Sequence, residues 1–168
     1  MDALIGRRSV RSYEDKPVPK SMILDLLKAA QTAPSAGNLR ARKYIVVTNP
    51  QMKKTLAIAA YGQSQVEAAP LLVVIYADIS RSSSRYGDRG SLYSIQDAAA
   101  ATMCRLLAAY DLGLGACWNG AFDDQMVRDA LDLGKDVLPV AIISIGWPEK
   151  SPQAPPGRDL DEVVSWIE

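Results

Sequence analysis

Three arginines and two serines lie close together near the N-terminus, in the stretch Gly6-Arg7-Arg8-Ser9-Val10-Arg11-Ser12-Tyr13. A planar guanidinium can donate two parallel hydrogen bonds to a phosphate, and serine hydroxyls and backbone N–H groups supply further donors. The 168-residue chain carries 19 basic and 19 acidic side chains, so this positive charge is local. The stretch is compatible with a phosphate-binding site and also with a solvated basic arm.

A second stretch of interest consists of small residues, Ala33-Pro34-Ser35-Ala36-Gly37-Asn38. Serine, glycine and asparagine let a backbone approach a ligand closely, but the same residues also form an ordinary helix-to-strand turn. Residues 80–90 are rich in serine, arginine and glycine, and their composition predicts a long loop. Such a loop is either a mobile cover over a site or a disordered excursion at the surface.

Several kinds of catalysis are excluded by residue types. The chain has no histidine, which excludes Ser-His-Asp and Cys-His catalysis and any histidine-based metal site. Cys104 and Cys117 lack metal-ligand spacing and are expected to be reduced thiols. The sequence has no closely spaced pair of acidic residues on one element that would indicate catalysis by carboxylates. A cofactor therefore has to supply the reactivity. The motif Gly113-Leu-Gly115-Ala-Cys-Trp118 fails as a dinucleotide fingerprint, because it follows a helix and ends in tryptophan.

Composition narrows the class of protein and its partners. With 48% apolar residues, the chain predicts one globular domain over residues 1–168. Zero net charge and a pI of about 6.3 argue against a nucleic-acid or anionic-membrane partner. No apolar run has the length of a membrane span, and the N-terminus lacks a secretory segment. We therefore expect a cytoplasmic protein.

Helical and strand-like segments alternate along the chain. The apolar spacing predicts helices over residues 20–33, 50–61 and 123–131, with a short polar turn or helix at 62–69. Apolar, β-branched runs predict strands over residues 43–49, 70–78, 116–122 and 136–147. Residues 160–167 read as a short helix or an edge strand that reaches across to a partner. The strands are few, which favours an α+β layered fold over a doubly wound one.

The longest predicted helix covers residues 91–112 and is apolar on nearly every side. Its polar exceptions are Gln96, Asp97, Thr102 and Arg105. A helix of this kind must be buried on all sides, and one small domain has little room for it at its centre. Part of its surface is therefore expected to meet a second subunit, which predicts an obligate homodimer.

At this point the chain resembles the flavin-dependent nitroreductase family. The resemblance extends from residue 6 to about residue 164, and its pieces recur in order and at suitable spacing. The matching pieces are Arg7-Arg8-Ser9-Val10-Arg11-Ser12-Tyr13, Ala33-Pro34-Ser35-Ala36-Gly37-Asn38, residues 97–115, Trp118-Asn119-Gly120, Gly146-Trp147-Pro148, and Arg158 ahead of Leu160-Asp-Glu-Val-Val164.

The resemblance implies a three-layer α+β fold, with a central mixed sheet flanked by helices and a long buried helix at the interface of a homodimer. It implies one FMN in each of two sites at that interface. Arg7, Arg8, Ser9 and Arg158 would lie near the FMN phosphate, and Arg11 near the N1/O2 edge of the flavin ring.

The resemblance also assigns site residues from elsewhere in the chain. Pro34, Ser35 and Asn38 would come from the other subunit, and the backbone around Asn119 and Gly120 would face N5 and O4. Gln65 is a further candidate for the pyrimidine edge.

Two departures from the family pattern are visible. Arg40-Ala41-Arg42 follows Asn38, where the family commonly has Gln-Pro-aromatic, and these arginines are expected to add positive charge beside the site. Residues 80–90 replace the longer helical excursion that covers the flavin in larger members.

The implied activity is FMN-dependent oxidation of NAD(P)H, with hydride passing through flavin N5 to electron-poor acceptors such as nitroaromatics or quinones in a ping-pong cycle. No side chain is expected to act as a catalytic group itself. Arg85, Tyr86 and Tyr93 are interpreted either as acceptor contacts or as surface packing. The alternatives are a flavin-binding or storage protein without turnover, and a reductive dehalogenase or oxygen-using relative on the same scaffold.

Overall fold

The computed structural model describes the whole chain, Met1–Glu168, and contains seven α-helices and four strands. The helices are α1 (Asp2–Gly6), α2 (Lys20–Gln31), α3 (Pro50–Ala59), α4 (Ser64–Ala68), α5 (Ile79–Tyr86), α6 (Gly90–Asp111) and α7 (Asp124–Ala130). The strands are β1 (Arg42–Val47), β2 (Leu71–Asp78), β3 (Gly115–Asn119) and β4 (Val137–Gly146). Short 3₁₀ turns cover Ala36–Asn38, Gly87–Arg89 and Leu160–Glu162.

The four strands form one sheet in the order β1-β2-β4-β3, and every neighbouring pair is antiparallel. The mixed sheet expected within one chain is therefore wrong in this detail. The strands β2 and β3 do run in the same direction, but β4 lies between them, so they never pair. One isolated parallel bridge joins Ser9, which lies outside the named strands, to Ala116 of β3.

Helices cover both faces of the sheet, which explains why β2 is apolar along most of its length. On one face, Val73 and Ile75 pack with α2 and α6 residues such as Leu26 and Ala98. On the other face, Leu72 and Val74 pack against the layer formed by α3 and α7. A strand covered on both faces has no reason to alternate polar and apolar residues. The predicted α+β layered fold is confirmed.

The long helix predicted over residues 91–112 is confirmed as α6, with 22 residues. Its burial differs from what its composition indicates, because the polar residues Asp97, Thr102 and Arg105 are buried in the chain's own interior together with apolar ones. Partly exposed positions include apolar ones such as Met103 and Leu107. The helix thus buries three of its four polar exceptions, while Gln96 is exposed and an apolar side is incompletely covered.

The loop predicted over residues 80–90 is wrong, because the structure places α5 and a 3₁₀ turn there. Asp78 caps the helix by accepting a hydrogen bond from the Arg81 backbone N–H at 3.1 Å. At the far end, Gly90 packs so closely on the Ser83 backbone that a Cβ would clash. Serine is a weak helix former, so composition alone concealed a helix that capping and packing against α6 stabilise.

Asp78 provides a test of this capping interaction. Burial raises the pKa of Asp78, but hydrogen bonds from the Arg81 backbone and the Lys43 and Ser80 side chains outweigh burial, so its pKa lies below the usual value. Its stabilising effect is therefore present at neutral pH and is lost as the pH falls through that lowered pKa. We expect Asp78→Ala to reduce the free energy of unfolding by about 1 kcal/mol in urea titrations. Asp78→Asn should lose less, since asparagine also caps helices, and equal losses in both variants would contradict the capping role.

The two ends of the chain differ from the sequence-based expectations. The short N-terminal helix α1 lacks a sequence signal. Residues 151–168 form an exposed tail, in which a 3₁₀ turn at Leu160–Glu162 stands where a short helix or an edge strand was expected over residues 160–167. Cys104 and Cys117 are both free. None of the helices combines the length and apolarity needed to cross a bilayer.

Candidate functional site

The N-terminal arginine segment lies along the edge strand β3. The Val10 N–H donates to the Ala116 carbonyl at 3.0 Å, and Ser9 bridges the same strand. Gly115 permits this close approach, because a Cβ there would lie 2.7 Å from the nearest Val10 side-chain carbon. Backbone pairing thus fixes the segment and holds its arginines beside the sheet.

Two adjoining clefts of about 390 and 410 Å³, here called the arginine clefts, share Arg7 and Arg8 as lining residues. The first continues between the C-terminal end of α6 and the start of β3. The second is completed by Ser9, Arg11 and the tail residues Pro152, Gln153, Ala154 and Pro155. Their volumes lie in the range of small-molecule sites, and their polar donors converge from one short segment.

The arginines of these clefts differ in how far their donors are occupied. Arg8 donates to the carbonyls of Ile5 at 2.6 Å and Arg7 at 2.7 Å, so it closes the end of α1. The Nε of Arg7 is buried without a hydrogen-bond partner, and Arg11 reaches only the Ser9 carbonyl at 3.5 Å. None of the three forms an ion pair. A buried unpaired donor is costly, so Arg7 is suited to an anionic ligand. Arg11 is exposed, and its weakly bound guanidinium is available to the same ligand.

Two ionisable groups close to these arginines, Cys117 and Tyr13, do not offset their charge. Burial raises the pKa of the Cys117 thiol, although Arg11, Arg7 and a hydrogen bond with Ser9 partly oppose that rise. Burial likewise raises the pKa of Tyr13, whose hydroxyl donates to the Val10 carbonyl at 2.6 Å. Both groups are therefore neutral at physiological pH. Asp111 lines the first cleft but forms no ion pair with Arg7 or Arg8.

Gln65 and Asn119 are buried and bind each other. The Gln65 amide donates to Asn119 Oδ1 at 2.7 Å, and the Asn119 amide donates to the Ile142 carbonyl at 2.8 Å. Ser144 Oγ lies 3.2 Å from Asn119 Nδ2 and 2.9 Å from the Tyr13 hydroxyl, which connects this network to the N-terminal segment. Both side chains are thus engaged inside the protein, while Gly120 is exposed at the end of β3.

The small-residue loop lies away from the arginine clefts within one chain. Pro34, Ser35 and Asn38 do not line either cleft, and Pro34 and Asn38 are exposed. Asn38 has a positive φ of 54°, which asparagine tolerates better than most residues. The structure of one chain therefore does not bring this loop to Arg7.

The expectation that Arg40 and Arg42 add positive charge beside the site is wrong for Arg42. It is buried in an ion pair with Asp97, and it also donates to the carbonyls of Ala30 and Ala33 at 3.1 Å each. Asp97 in turn accepts from the Ala41 backbone N–H at 2.6 Å. These contacts anchor the end of α2, and so the start of the small-residue loop, to α6. The signal in the sequence was a lone aspartate in an alanine-rich run.

Arg158 lies on the exposed tail and pairs with Glu162 at 2.9 Å. It does not line the arginine clefts, although residues of the same tail do. Of the site residues predicted from the sequence, the structure therefore groups Arg7, Arg8, Ser9 and Arg11 together, and Gln65 with Asn119.

Comparison with known proteins shows the family. The model described as "Nitroreductase family" matches residues 4–68 and 57–147. The "NADH dehydrogenase" of Thermus thermophilus is 32% identical over 194 residues, covering 98% of this chain and 94% of that protein. The "FMN reductase [NAD(P)H]" of Bacillus subtilis is 30% identical over 171 residues, covering 91% and 69%. The crystal structure of nitroreductase A from Vibrio parahaemolyticus matches with a TM-score of 0.91 and 26% identity, covering 99% and 74%. The resemblance is confirmed, and the chain belongs to the nitroreductase family.

Proposed function

We propose that this chain is an FMN-dependent NAD(P)H oxidoreductase that reduces electron-poor acceptors such as nitroaromatics and quinones. The observation that carries the proposal is the pair of guanidiniums at Arg7 and Arg11, which line a cleft and lack any carboxylate partner. The chain's family and the activities named for its relatives support the same enzyme class. We place one FMN-binding domain over residues 1–168, acting in the cytoplasm.

The donors of the arginine clefts fit a phosphate monoester. A doubly charged phosphate needs several hydrogen-bond donors. Arg7 Nε is one such donor, because it is buried and no acceptor in the chain binds it. Ser9 adds a hydroxyl to the same cleft, and Arg8 contributes charge while its own hydrogen bonds close α1. In this proposal Arg158 joins them when the tail moves from its present pairing with Glu162.

Flavin, when bound, supplies the hydride and electron chemistry that the side chains of this protein lack. The role of Arg11 is to stabilise negative charge at the edge of the reduced ring, as a fixed cation can do without reorganising. The role of the Gln65–Asn119 pair is to hold the backbone at Asn119 and Gly120 rigid, so that its N–H groups face the ring. No side chain is assigned a proton or a covalent bond.

We further propose that the protein works as a homodimer whose sites lie between subunits. The apolar side of α6 is only partly covered, and the tail exposes Val163, Trp166 and Ile167 to solvent. Exposed apolar surface of this extent is typical of an interaction site. The small-residue loop, which does not reach the arginine clefts of its own chain, would complete the site of the partner.

An absorption spectrum tests the proposed function most directly. The purified protein is expected to show flavin bands that bleach when NADH or NADPH is added without oxygen. It should then oxidise NAD(P)H steadily when menadione or a nitrofuran is present as the acceptor. Free FMN at the same concentration is the control and should oxidise NAD(P)H more slowly. A bound flavin that neither nicotinamide reduces would favour the storage alternative. A colourless protein that does not bind added FMN would overturn the proposal.

A further inference from the structure

Two arginines and two tyrosines form a surface cluster on and after α5, here called the arginine–tyrosine cluster. The rings of Tyr86 and Tyr93 meet edge to face, with centroids 5.0 Å apart. The guanidinium of Arg85 lies 5.6 Å from the Tyr86 ring, and that of Arg89 lies 5.2 Å from the Tyr93 ring. Arg89 also donates to the Tyr93 hydroxyl at 2.9 Å. The four side chains therefore form one connected group, in which each contacts at least one other.

The charge of this cluster is not used within the chain. Neither Arg85 nor Arg89 forms an ion pair, and both are exposed. Asp78, which caps α5, is instead paired with Lys43 at 3.2 Å. Cation–π contacts at exposed positions contribute little to stability. Two guanidiniums therefore remain available to an anion from solution, with aromatic rings beside them.

The cluster is attached to the small-residue loop. A Cβ at Gly37 would lie 2.5 Å from the Tyr86 hydroxyl and 2.9 Å from Arg85 Nη1, so both of these side chains of the cluster pack directly on this glycine. Arg81 fastens the same helix to the loop by donating to the Leu39 carbonyl at 2.6 Å. If the loop covers the partner's flavin, as the proposed function has it, the cluster flanks that flavin. The inference below rests on the proposed function.

The chemistry of the cluster fits the nicotinamide substrate better than the electron acceptor. Neutral nitroaromatics and quinones have no group that requires two cations, whereas NADPH carries phosphates next to an adenine ring. Guanidinium forks match phosphate oxygens, and an arginine is what typically accommodates a ribose 2′-phosphate. Tyrosine rings offer faces or edges for a base to pack on. We infer that the arginine–tyrosine cluster binds the adenosine 2′-phosphate end of NADPH and makes the enzyme prefer NADPH to NADH.

Calorimetric titration with adenosine 2′,5′-bisphosphate and adenosine 5′-monophosphate tests this binding without turnover. The flavin-loaded protein should bind the bisphosphate roughly tenfold or more tightly than the monophosphate, which is what one charge-assisted contact provides. The variant Arg85→Ala/Arg89→Ala should lose that difference, and kcat/KM for NADPH should fall by about tenfold to a hundredfold with NADH little changed. As a control for the loss of positive charge elsewhere, Arg128→Ala removes one guanidinium from α7, on the other face of the sheet, and should change neither ratio.

A second variant separates charge from shape. Arg85→Lys/Arg89→Lys keeps the charge but lacks the planar fork, so it should recover only part of the preference for the 2′-phosphate. Wild-type protein without that preference, or an alanine variant that keeps it, would overturn the inference. A yellow enzyme that prefers NADH would overturn the inference alone, whereas a protein that binds no flavin would overturn the proposed function.

Discussion

Asp97→Asn is expected to lower the free energy of unfolding by about 3–5 kcal/mol, the usual effect of breaking a buried ion pair from one side. The side chains of Arg42 and Asp97 are 0% and 2% exposed, so Arg42 would keep its charge without a counter-ion and without water. The Ala41 N–H would also lose part of its acceptor. Urea unfolding followed by circular dichroism measures the loss.

The surroundings of this pair place the expected loss near the upper end of that range. Arg105 is fully buried, has no hydrogen-bond partner, and stacks 4.5 Å from the centre of the Tyr44 ring. Burial lowers the pKa of Arg105 to about 10, with Tyr44 opposing the shift and Arg42 adding to it. The substitution would thus leave Arg42 without its carboxylate partner, beside a second buried cation, Arg105, that repels it.

A double variant provides the control for this prediction. Asp97→Asn combined with Arg42→Met removes both charges of the pair, so it should recover most of the lost stability. Losses that simply add in the double variant, or an Asp97→Asn protein as stable as the wild type, would contradict the buried-charge explanation. The double variant should still misplace the small-residue loop, because Arg42 no longer binds the Ala30 and Ala33 carbonyls.

Arg7→Ala together with Arg158→Ala is expected to weaken FMN binding by about 3–6 kcal/mol, since each charge-assisted hydrogen bond contributes about 1.5–3 kcal/mol. Arg7 has a free buried donor in the cleft, and Arg158 is the cation that the tail can bring to it. Fluorescence titration of the flavin-free protein measures the affinity.

Single variants divide this expected loss between the two arginines. Arg8→Ala is the matched control, because its guanidinium is occupied by the Ile5 and Arg7 carbonyls and should matter less to FMN. An Arg158→Ala protein with wild-type affinity would assign the whole effect to Arg7. Unchanged affinity in the double variant would show that the phosphate binds elsewhere.

The elements predicted from the sequence were those with strong local patterns. The short, unbroken apolar run of β2 is typical of a strand covered on both faces, and the long alanine-rich run of α6 is typical of a buried helix. The helix α5 was missed because its stability comes from the Asp78 cap and from packing of Gly90 on Ser83, and neither contact leaves a periodic signal. The arginine segment was recognised from residue types, which do not depend on the fold.

What the sequence alone determined is the type of chemistry: a chain without histidine, with clustered arginines and ordered family motifs, needs a cofactor with an anionic group. Only the tertiary structure decided which charges are available to that group. Arg42 and Asp97 are 55 positions apart, yet they neutralise each other, while Arg7 keeps a free donor. The Gln65–Asn119 contact spans 54 positions in the same way. Pairing of this kind depends on which surfaces pack together, and local sequence patterns carry no information about partners so distant in the chain.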